Sequence, residues 1–285
     1  MTGAASCAEL ARLLDVRPEG PCSYLGAPAP DRGRRVVEGS QMLAQALVAS
    51  CRHVPDRRVV SSWMGFLRVA DPALPLRFDL EELSNGRTFA ALGVEVRQED
   101  RLCASGQVLL DVTAADLVRH AEAPPEVPGP EEGEPLEMGI AGQEVRTVGG
   151  AYTGDPEAPA GPPQLDAWLR FGDPPDDPVL HVALLAQFSG YLSIAAALRP
   201  HPGVGQDQAH RSLSTAVNAI SLSMHAPVHA ERWMLVHHRS TFAGDGMTRS
   251  ACRVHDESGS LLASFSVDGM VRARERTGID PSRAL

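Results

Sequence analysis

Residues 61–70 (SSWMGFLRVA) and residues 221–230 (SLSMHAPVHA) are two stretches of one chain that share a register. They lie 160 positions apart and carry the same residue at their first, fourth and last positions. The same offset continues without a gap through four further identical pairs, Gly86/Gly246, Thr88/Thr248, Ala91/Ala251 and Val94/Val254. A single register over three predicted strands indicates a duplication. We therefore expect two equivalent structural units.

Each stretch belongs to a series of predicted strands that follows an apolar helix. The first helix, 39–50, has no proline, and the second, 178–198, is apolar nearly all round, as a buried central helix must be. The strands are separated by turn residues such as Asn85-Gly86. They span 58–69, 76–83, 88–96 and 102–112 in the first half, and 164–171, 212–224, 232–242, 248–254 and 261–271 in the second. A helix followed by an antiparallel meander, twice, predicts an α+β fold in which two sheets each wrap around a central helix, a double hotdog.

The two predicted units are joined by a segment of different composition. Residues 121–163 are rich in proline, glycine and glutamate and contain few large apolar side chains. Such a segment buries little apolar surface, so it predicts a linker that is partly disordered. The predicted organisation is an N-terminal unit at 1–120, the linker at 121–163 and a C-terminal unit at 164–285.

Composition excludes several classes of function. The net charge of −10 disfavours nonspecific binding to nucleic acid, whose phosphates require neutralisation. The chain contains no lysine, which excludes Schiff-base chemistry and the Walker A lysine. Its five cysteines form no Cys-x-x-Cys pair, so neither a disulfide framework nor a thiolate metal site is indicated. The N-terminus does not resemble a signal peptide, and no long apolar run predicts a membrane span. We expect a cytoplasmic protein.

Five short motifs carry a family resemblance. They are Gly39-Ser40-Gln41 at the start of the first helix, Phe66-Leu67-Arg68 followed by Asp71, Asn85-Gly86-Arg87-Thr88-Phe89, His225-Ala226-Pro227 and Asp268-Gly269-Met270-Val271-Arg272. In this order and spacing they resemble the acyl-CoA thioesterase II (TesB-like) family. The resemblance covers nearly the whole chain apart from the predicted linker.

The resemblance implies a fold, a substrate class and a mechanism. It implies two hotdog units in one chain, often assembled into homo-oligomers, and substrates that are acyl thioesters of CoA or of a carrier protein. It implies no cofactor and no metal. Hydrolysis in the family uses a helix-borne Asp, a strand Thr or Ser and a late-strand Gln, which together orient the water that attacks the thioester carbonyl.

The positions of this chain that match those three residues are nonpolar. The helix Asp corresponds to Gly190, the strand hydroxyl to Val217 and the Gln to Val267. Glycine and valine side chains neither accept protons nor hold water, and losing a positioned general base typically costs about 10²- to 10⁴-fold in rate. The family's usual hydrolytic site is therefore not preserved, and a shift of one or two residues in the alignment would replace Val217 by Asn218 or Thr215.

Three polar residues remain as catalytic candidates. His181 follows Asp176-Asp177-Pro178 at the start of the second helix and resembles the acid/base His of hotdog dehydratases. The alternative is that one of the two aspartates caps the helix while His181 packs against a strand. Glu38 precedes the first helix and either replaces the lost base or compensates the helix dipole. Asn218 is the third candidate, although strict alternation places it on the strand face opposite Val217.

A further set of residues is predicted to bind the substrate. They are Gly39, Ser40, Gln41, Ser189, Tyr191 and Asp268. No metal site is predicted, because adjacent His237 and His238 face opposite sides of a strand.

Three functions remain open from the sequence. The first is hydrolysis of an acyl thioester by a rewired site. The second is a different reaction on the same scaffold, namely hydration, dehydration, isomerisation or cyclisation of a biosynthetic intermediate. The third is a noncatalytic protein that binds acyl ligands or has a structural role.

Overall fold

The computed structural model describes residues 6–28, 36–139, 142–150, 152, 157–209 and 211–274. Its helices are α1 (Cys7–Leu14), α2 (Gly39–His53), α3 (Pro178–Phe188) and α4 (Ser193–Leu198). The strands of the first half are β1 (Val16–Gly20), β2 (Ser23–Gly26), β3 (Arg58–Phe66), β4 (Leu76–Asn85), β5 (Phe89–Gln98) and β6 (Arg101–Asp111). Those of the second half are β7 (Glu134–Pro135), β8 (Gln143–Thr147), β9 (Gln164–Phe171), β10 (Leu213–Met224), β11 (Met234–Gly244), β12 (Met247–Asp256) and β13 (Leu261–Ala273).

The described strands form one sheet with a nearly palindromic order. That order is β1-β2-β4-β5-β6-β3-β10-β13-β12-β11-β9-β8-β7. The strand order of the first half is mirrored in the second, which adds β7 at its edge. The halves meet at the antiparallel pair β3–β10, where Trp63 is opposite Ser221. The two stretches that reveal the duplication therefore begin on the strands that join the halves. The predicted double hotdog is confirmed.

The central helices pack side by side in opposite directions. Arg52, in the last turn of α2, lies 2.6 Å from Asp177, which caps the N-terminus of α3 by accepting a hydrogen bond from the amide of Val179. At the other end, Ser40 in the first turn of α2 contacts Gly190, just beyond α3. Nearly every residue of α2 between these ends is buried, because sheet or helix covers all its sides.

The second central helix is not continuous, and the prediction of one helix over 178–198 is wrong. The chain breaks after α3, where Leu192 adopts a left-handed conformation (φ 64°), and resumes as α4. The break lies where Gly190 meets Ser40, and a side chain at 190 would collide with α2. The α2 and α3 helices begin only 139 positions apart, whereas the strands keep the offset of 160. The second half therefore has a longer connection between its helix and β10.

The segment Pro178–Leu198 is long and apolar enough to cross a membrane, judged by length and composition alone. However, 67% of its most apolar window is buried inside the fold. This is the behaviour of a core helix that the sheet surrounds.

Much of the predicted linker lies against the C-terminal sheet. Within 121–163 the structure forms β7 and β8, and β8 pairs with β9. Trp168 Nε1 donates a hydrogen bond to the carbonyl oxygen of Pro128 at 2.9 Å, and Arg146 donates to that of Pro130 at 3.1 Å. These residues of the linker are therefore ordered by tertiary contacts. The boundaries 1–120, 121–163 and 164–285 stay a prediction.

We predict that Asp177 stabilises the fold in a pH-dependent way. Burial by itself raises the pKa of its carboxyl, but hydrogen bonds from Arg52 and from the amide of Val179 outweigh that effect and hold the pKa below its usual value. A depressed pKa contributes stability above the unfolded-state value of about 4, and this contribution is lost as the pH falls through the folded-state pKa. Asp177→Ala should lower the free energy of unfolding by about 1–2 kcal/mol at pH 7, measured by urea denaturation.

The matched control is Asp176→Ala, because this neighbouring carboxylate is exposed. It should change stability much less. An equal loss in both variants, or a loss in Asp177→Ala that persists unchanged at acid pH, contradicts the assignment.

Candidate active site

The first turn of α2 contains backbone amides that have no acceptor within the helix. Glu38 occupies the N-cap position with extended backbone angles, and no side-chain hydrogen bond caps the helix. The amides of Gln41 and Met42 both donate to the carbonyl oxygen of Glu38. The preceding amides, those of Gly39 and Ser40, have no acceptor within the helix, as expected for a first turn. Such a helix end attracts partial negative charge, including that on a carbonyl oxygen.

Two glycines allow other elements to approach this helix end closely. A Cβ atom at position 39 would lie 2.6 Å from the ring of Phe66, at the end of β3. A Cβ atom at position 190 would lie 2.5 Å from Ser40 Oγ. The first turn of α2 is thus held between β3 and the break that separates α3 from α4.

A β-bulge in β10 brings Asn218 toward the same place. Val217 is opposite Gly269 and Ala219 is opposite Asp268, so Asn218 is the extra residue. A bulge interrupts the alternation of side chains. Val217 packs against the core, and the Oδ1 atom of Asn218 is buried with no hydrogen-bond partner in the described part of the chain. The extra residue interrupts the predicted alternation here, and the placement of Val217 and Asn218 on opposite faces stays a prediction.

The bulge, the helix end and the helix break are neighbours. The β3–β10 pairing ends where Gly65 is opposite Ala219, and Phe66 and Asn218 are the next residues along the two strands. Phe66 packs on Gly39, and the next residue, Ser40, touches Gly190. These elements carry the first-turn amides of α2, the hydroxyl of Ser40 and the amide oxygen of Asn218, which is unpaired within the described part of the chain. A buried polar atom without a partner is costly in a folded protein unless water or a ligand completes it.

The remaining catalytic positions implied by the resemblance have no polar side chain in this structure. Gly190 forms the helix break. Val267 is 1% exposed and lies opposite Ile220 in the core. Neither position is able to hold a water molecule through its side chain.

His181 has both ring nitrogens bonded to backbone groups. Its Nε2 atom lies 2.9 Å from the carbonyl oxygen of Pro175, and its Nδ1 atom accepts a hydrogen bond from the amide of Ala230 at 2.9 Å. This pairing identifies the neutral tautomer with the proton on Nε2. The ring connects the approach to α3 with the loop before β11, and it has no ring nitrogen left for a substrate in this conformation. The structure gives the hypothesis of an acid/base His181 no support.

The predicted binding residues fall into separate places. Ser189 donates to the carbonyl oxygen of Ala186 at the end of α3, and Tyr191 accepts a hydrogen bond from Gln187. Gln41 is buried in the first turn of α2. Asp268 is opposite Ala219, outside the alternation of the inward-facing residues, and pairs with Arg249 at 2.6 Å. Gly39, Ser40 and Gln41 therefore lie together in the first turn of α2, whereas Asp268 lies on β13 and pairs with Arg249.

A buried polar cluster that the sequence did not reveal holds the start of α4. Ser193 Oγ lies 3.2 Å from His238 Nδ1, and Cys252 Sγ lies 3.3 Å from the same nitrogen. Ser250 donates to the carbonyl oxygen of Ser193. Burial lowers the pKa of His238 to about 3 and raises the pKa of Cys252 to about 12, so both are neutral near pH 7. The cluster therefore fixes the helix break rather than moving protons.

A cavity lies beyond the break, on the other side of α4. Its volume is about 430 Å³, within the range of roughly 300–1,000 Å³ typical of small-molecule pockets. Ala195 and Leu198 of α4 form part of its wall, together with segments near 158–161 and 201–206. Ile194, also in α4, faces Gly269 beside the β10 bulge. Helix α4 therefore contacts both the site region and the cavity.

We predict that His181 is needed for stability. His181→Ala leaves the carbonyl of Pro175 and the amide of Ala230 without a partner and should lower the free energy of unfolding by about 1–3 kcal/mol. His229→Ala is the control, since His229 is exposed and equally close to Glu231. A stable His181→Ala protein that loses thioester turnover would instead support a catalytic role.

Comparisons with known proteins agree with this architecture. Residues 27–110 match the model of the acyl-CoA thioesterase N-terminal domain, and residues 116–270 match that of the C-terminal domain. Acyl-CoA thioesterase 2 of Haemophilus influenzae is 27% identical over 86% of this chain and 91% of its own length. Human acyl-coenzyme A thioesterase 8 is also 27% identical, over 83% of this chain and 80% of its own.

Solved structures show the same fold. The acyl-CoA thioesterase II TesB2 of Mycobacterium marinum has a TM-score of 0.79 at 25% identity and covers 93% of this chain and 99% of its own. A tesB protein of Mycobacterium avium subsp. paratuberculosis has the same TM-score at 24% identity, covering 94% of this chain and 100% of its own. Together with the match of both domain models, these comparisons show that the chain belongs to the acyl-CoA thioesterase family.

Proposed function

We propose that this protein hydrolyses acyl-CoA thioesters at the N-terminus of α2. The observation that carries the proposal is the buried, unpaired Oδ1 atom of Asn218 beside an uncapped helix end, within an acyl-CoA thioesterase fold. The helix end supplies donors for the thioester carbonyl oxygen, and the amide oxygen supplies an acceptor for the attacking water. Both requirements of thioester hydrolysis are thus met within one region.

The reaction follows from these positions. The carbonyl oxygen binds the amides of Gly39 and Ser40, which stabilise the negative charge that develops on it. Water donates one hydrogen bond to Asn218 and gives its other proton to a base as its oxygen bonds to the carbonyl carbon. The carbon–sulfur bond then breaks, and the CoA thiolate takes a proton as it leaves. The products are a carboxylic acid and free CoA.

Asn218 orients the water but does not accept its proton, because an amide is not basic at neutral pH. We propose the carboxylate of Glu38 as the base, since it is the N-cap residue of the helix whose first amides bind the carbonyl oxygen. The sequence contains no carboxylate between Asp177 and Asp207, so the α3–α4 region does not supply one.

The proposal predicts turnover of a panel of acyl-CoAs, measured by a thiol reporter that detects released CoA. Asn218→Ala should lower kcat by about 10- to 100-fold, and Glu38→Gln by about 10²- to 10⁴-fold, the range for a lost general base. Asn85→Ala, an exposed amide that bonds to Glu82 in a hairpin, is the control and should keep wild-type rates. Wild-type protein that releases no CoA from any member of the panel would point to the noncatalytic alternative.

We propose that the acyl chain extends along α4 into the cavity. The support is that α4 contacts both the β10 bulge through Ile194 and the cavity through Ala195 and Leu198. Ala195→Leu reduces the volume and should shift kcat/KM toward shorter acyl chains, whereas Leu198→Ala enlarges it and should shift kcat/KM toward longer ones. Equal effects on short and long acyl-CoAs in both variants contradict this placement.

The finer points of the proposal are a cytoplasmic location, use of carrier-bound acyl groups and assembly into homo-oligomers. The five free cysteines support the first, because disulfides are rare in the reducing cytoplasm. The thiol-reporter panel with acyl groups on phosphopantetheine carriers tests the second, and light scattering of the purified protein tests the third. Dehydration or cyclisation has no comparable support, because the ring nitrogens of His181 are both occupied.

A further inference from the structure

Positions 40 and 190 share one side-chain space between α2 and the break after α3. A Cβ atom at 190 would lie 2.5 Å from Ser40 Oγ and 2.8 Å from Ser40 Cβ. Nonbonded atoms in a packed interior do not approach this closely. Only one of the two residues is therefore able to carry a side chain, and in this chain it is the residue on α2.

The group in that space is a hydroxyl in an unusual setting. Ser40 is 2% exposed, and among the described residues its hydroxyl has no hydrogen-bond partner. Ser50, on the same helix, shows the ordinary arrangement, since its hydroxyl donates to the carbonyl oxygen of Ala46 at 2.8 Å. Ser40 also lies in the first turn, where its own amide has no acceptor within the helix. Ser40 thus carries a hydroxyl next to Gly190 and a first-turn amide at the end of the helix.

We propose that Ser40 is a catalytic residue whose hydroxyl donates a hydrogen bond to the thioester carbonyl oxygen, beside its own amide. This inference rests on the proposed hydrolysis and adds a side-chain donor to the backbone donors. As water attacks, the carbonyl carbon becomes tetrahedral and its oxygen gains negative charge, which the hydroxyl stabilises without transferring its proton. The same space would hold a side chain from position 190 if Ser40 were a glycine.

Kinetics of Ser40→Ala test the role of the hydroxyl. Alanine keeps the Cβ atom and the packing against Gly190, so the fold should be retained. Loss of one oxyanion donor typically lowers kcat by about 10²- to 10³-fold, and we expect a fall in this range with KM changed less than about threefold. Ser50→Ala removes a buried hydroxyl from the same helix and should leave kcat unchanged.

Moving the hydroxyl from position 40 to position 190 distinguishes its role in catalysis from its role in packing. Gly190→Ser alone should lower the melting temperature, because two side chains then compete for one space. Ser40→Gly combined with Gly190→Ser should regain much of that stability and should be more active than Ser40→Gly alone. If the change in melting temperature of the double variant differs from the sum of the changes in the two single variants, the two positions share one space, whatever the activity of the variants.

The outcomes distinguish this inference from the proposed function. Wild-type protein without thioesterase activity overturns both. Active wild-type protein with an equally active Ser40→Ala variant overturns the role of Ser40 and leaves hydrolysis intact. If the changes in melting temperature of the single Ser40 and Gly190 variants add up to that of the double variant, the hypothesis that the two positions share one space is overturned.

Discussion

Backbone pairing of β3 with β10 is the interaction on which the rest of the structure depends. It joins the sheets of the two halves into one surface and places both central helices on the same side of it. The helices then pack against each other in opposite directions, as the contacts Arg52–Asp177 and Ser40–Gly190 show at their two ends. Neither half alone would cover its central helix on all sides, which explains why the unit is duplicated in one chain.

The two ends of the helix pair are chemically different. At one end, Asp177 caps α3 and pairs with Arg52, so the first amides of that helix are satisfied by the protein itself. At the other end, the N-cap residue of α2 makes no capping hydrogen bond through its side chain, and Ser40 in the first turn contacts Gly190. The two halves therefore have similar helix N-termini, and in this chain the N-terminus of α3 is capped by Asp177, which pairs with Arg52. The open end is the place where ligand chemistry is expected.

The fold was largely predictable from the sequence, whereas the site was predictable only in part. The constant offset of 160 positions and the apolar helices follow from burial, which leaves a periodic pattern in the residues. The break after α3 and the bulge at Asn218 do not leave such a pattern, because each depends on contacts between distant segments. A hydropathy pattern makes 178–198 one helix, and strict alternation turns Asn218 away from Val217. The continuous helix is wrong and the alternation is interrupted by the bulge, and both departures lie where contacts with other elements override the local pattern.

The sequence predicts Gly39, Ser40 and Asn218 as site residues, and their role stays a prediction. It could not separate them from His181 and Asp268, because hydrogen-bond partners from other elements are not visible in one sequence. The most direct test is a crystal structure with an unreactive acyl-CoA analogue whose thioester sulfur is replaced by a methylene group. The account predicts that the carbonyl oxygen of the analogue lies within hydrogen-bond distance of the amide and hydroxyl of Ser40, with Asn218 facing the carbonyl carbon. An analogue bound elsewhere, with the N-terminus of α2 unchanged, would contradict it.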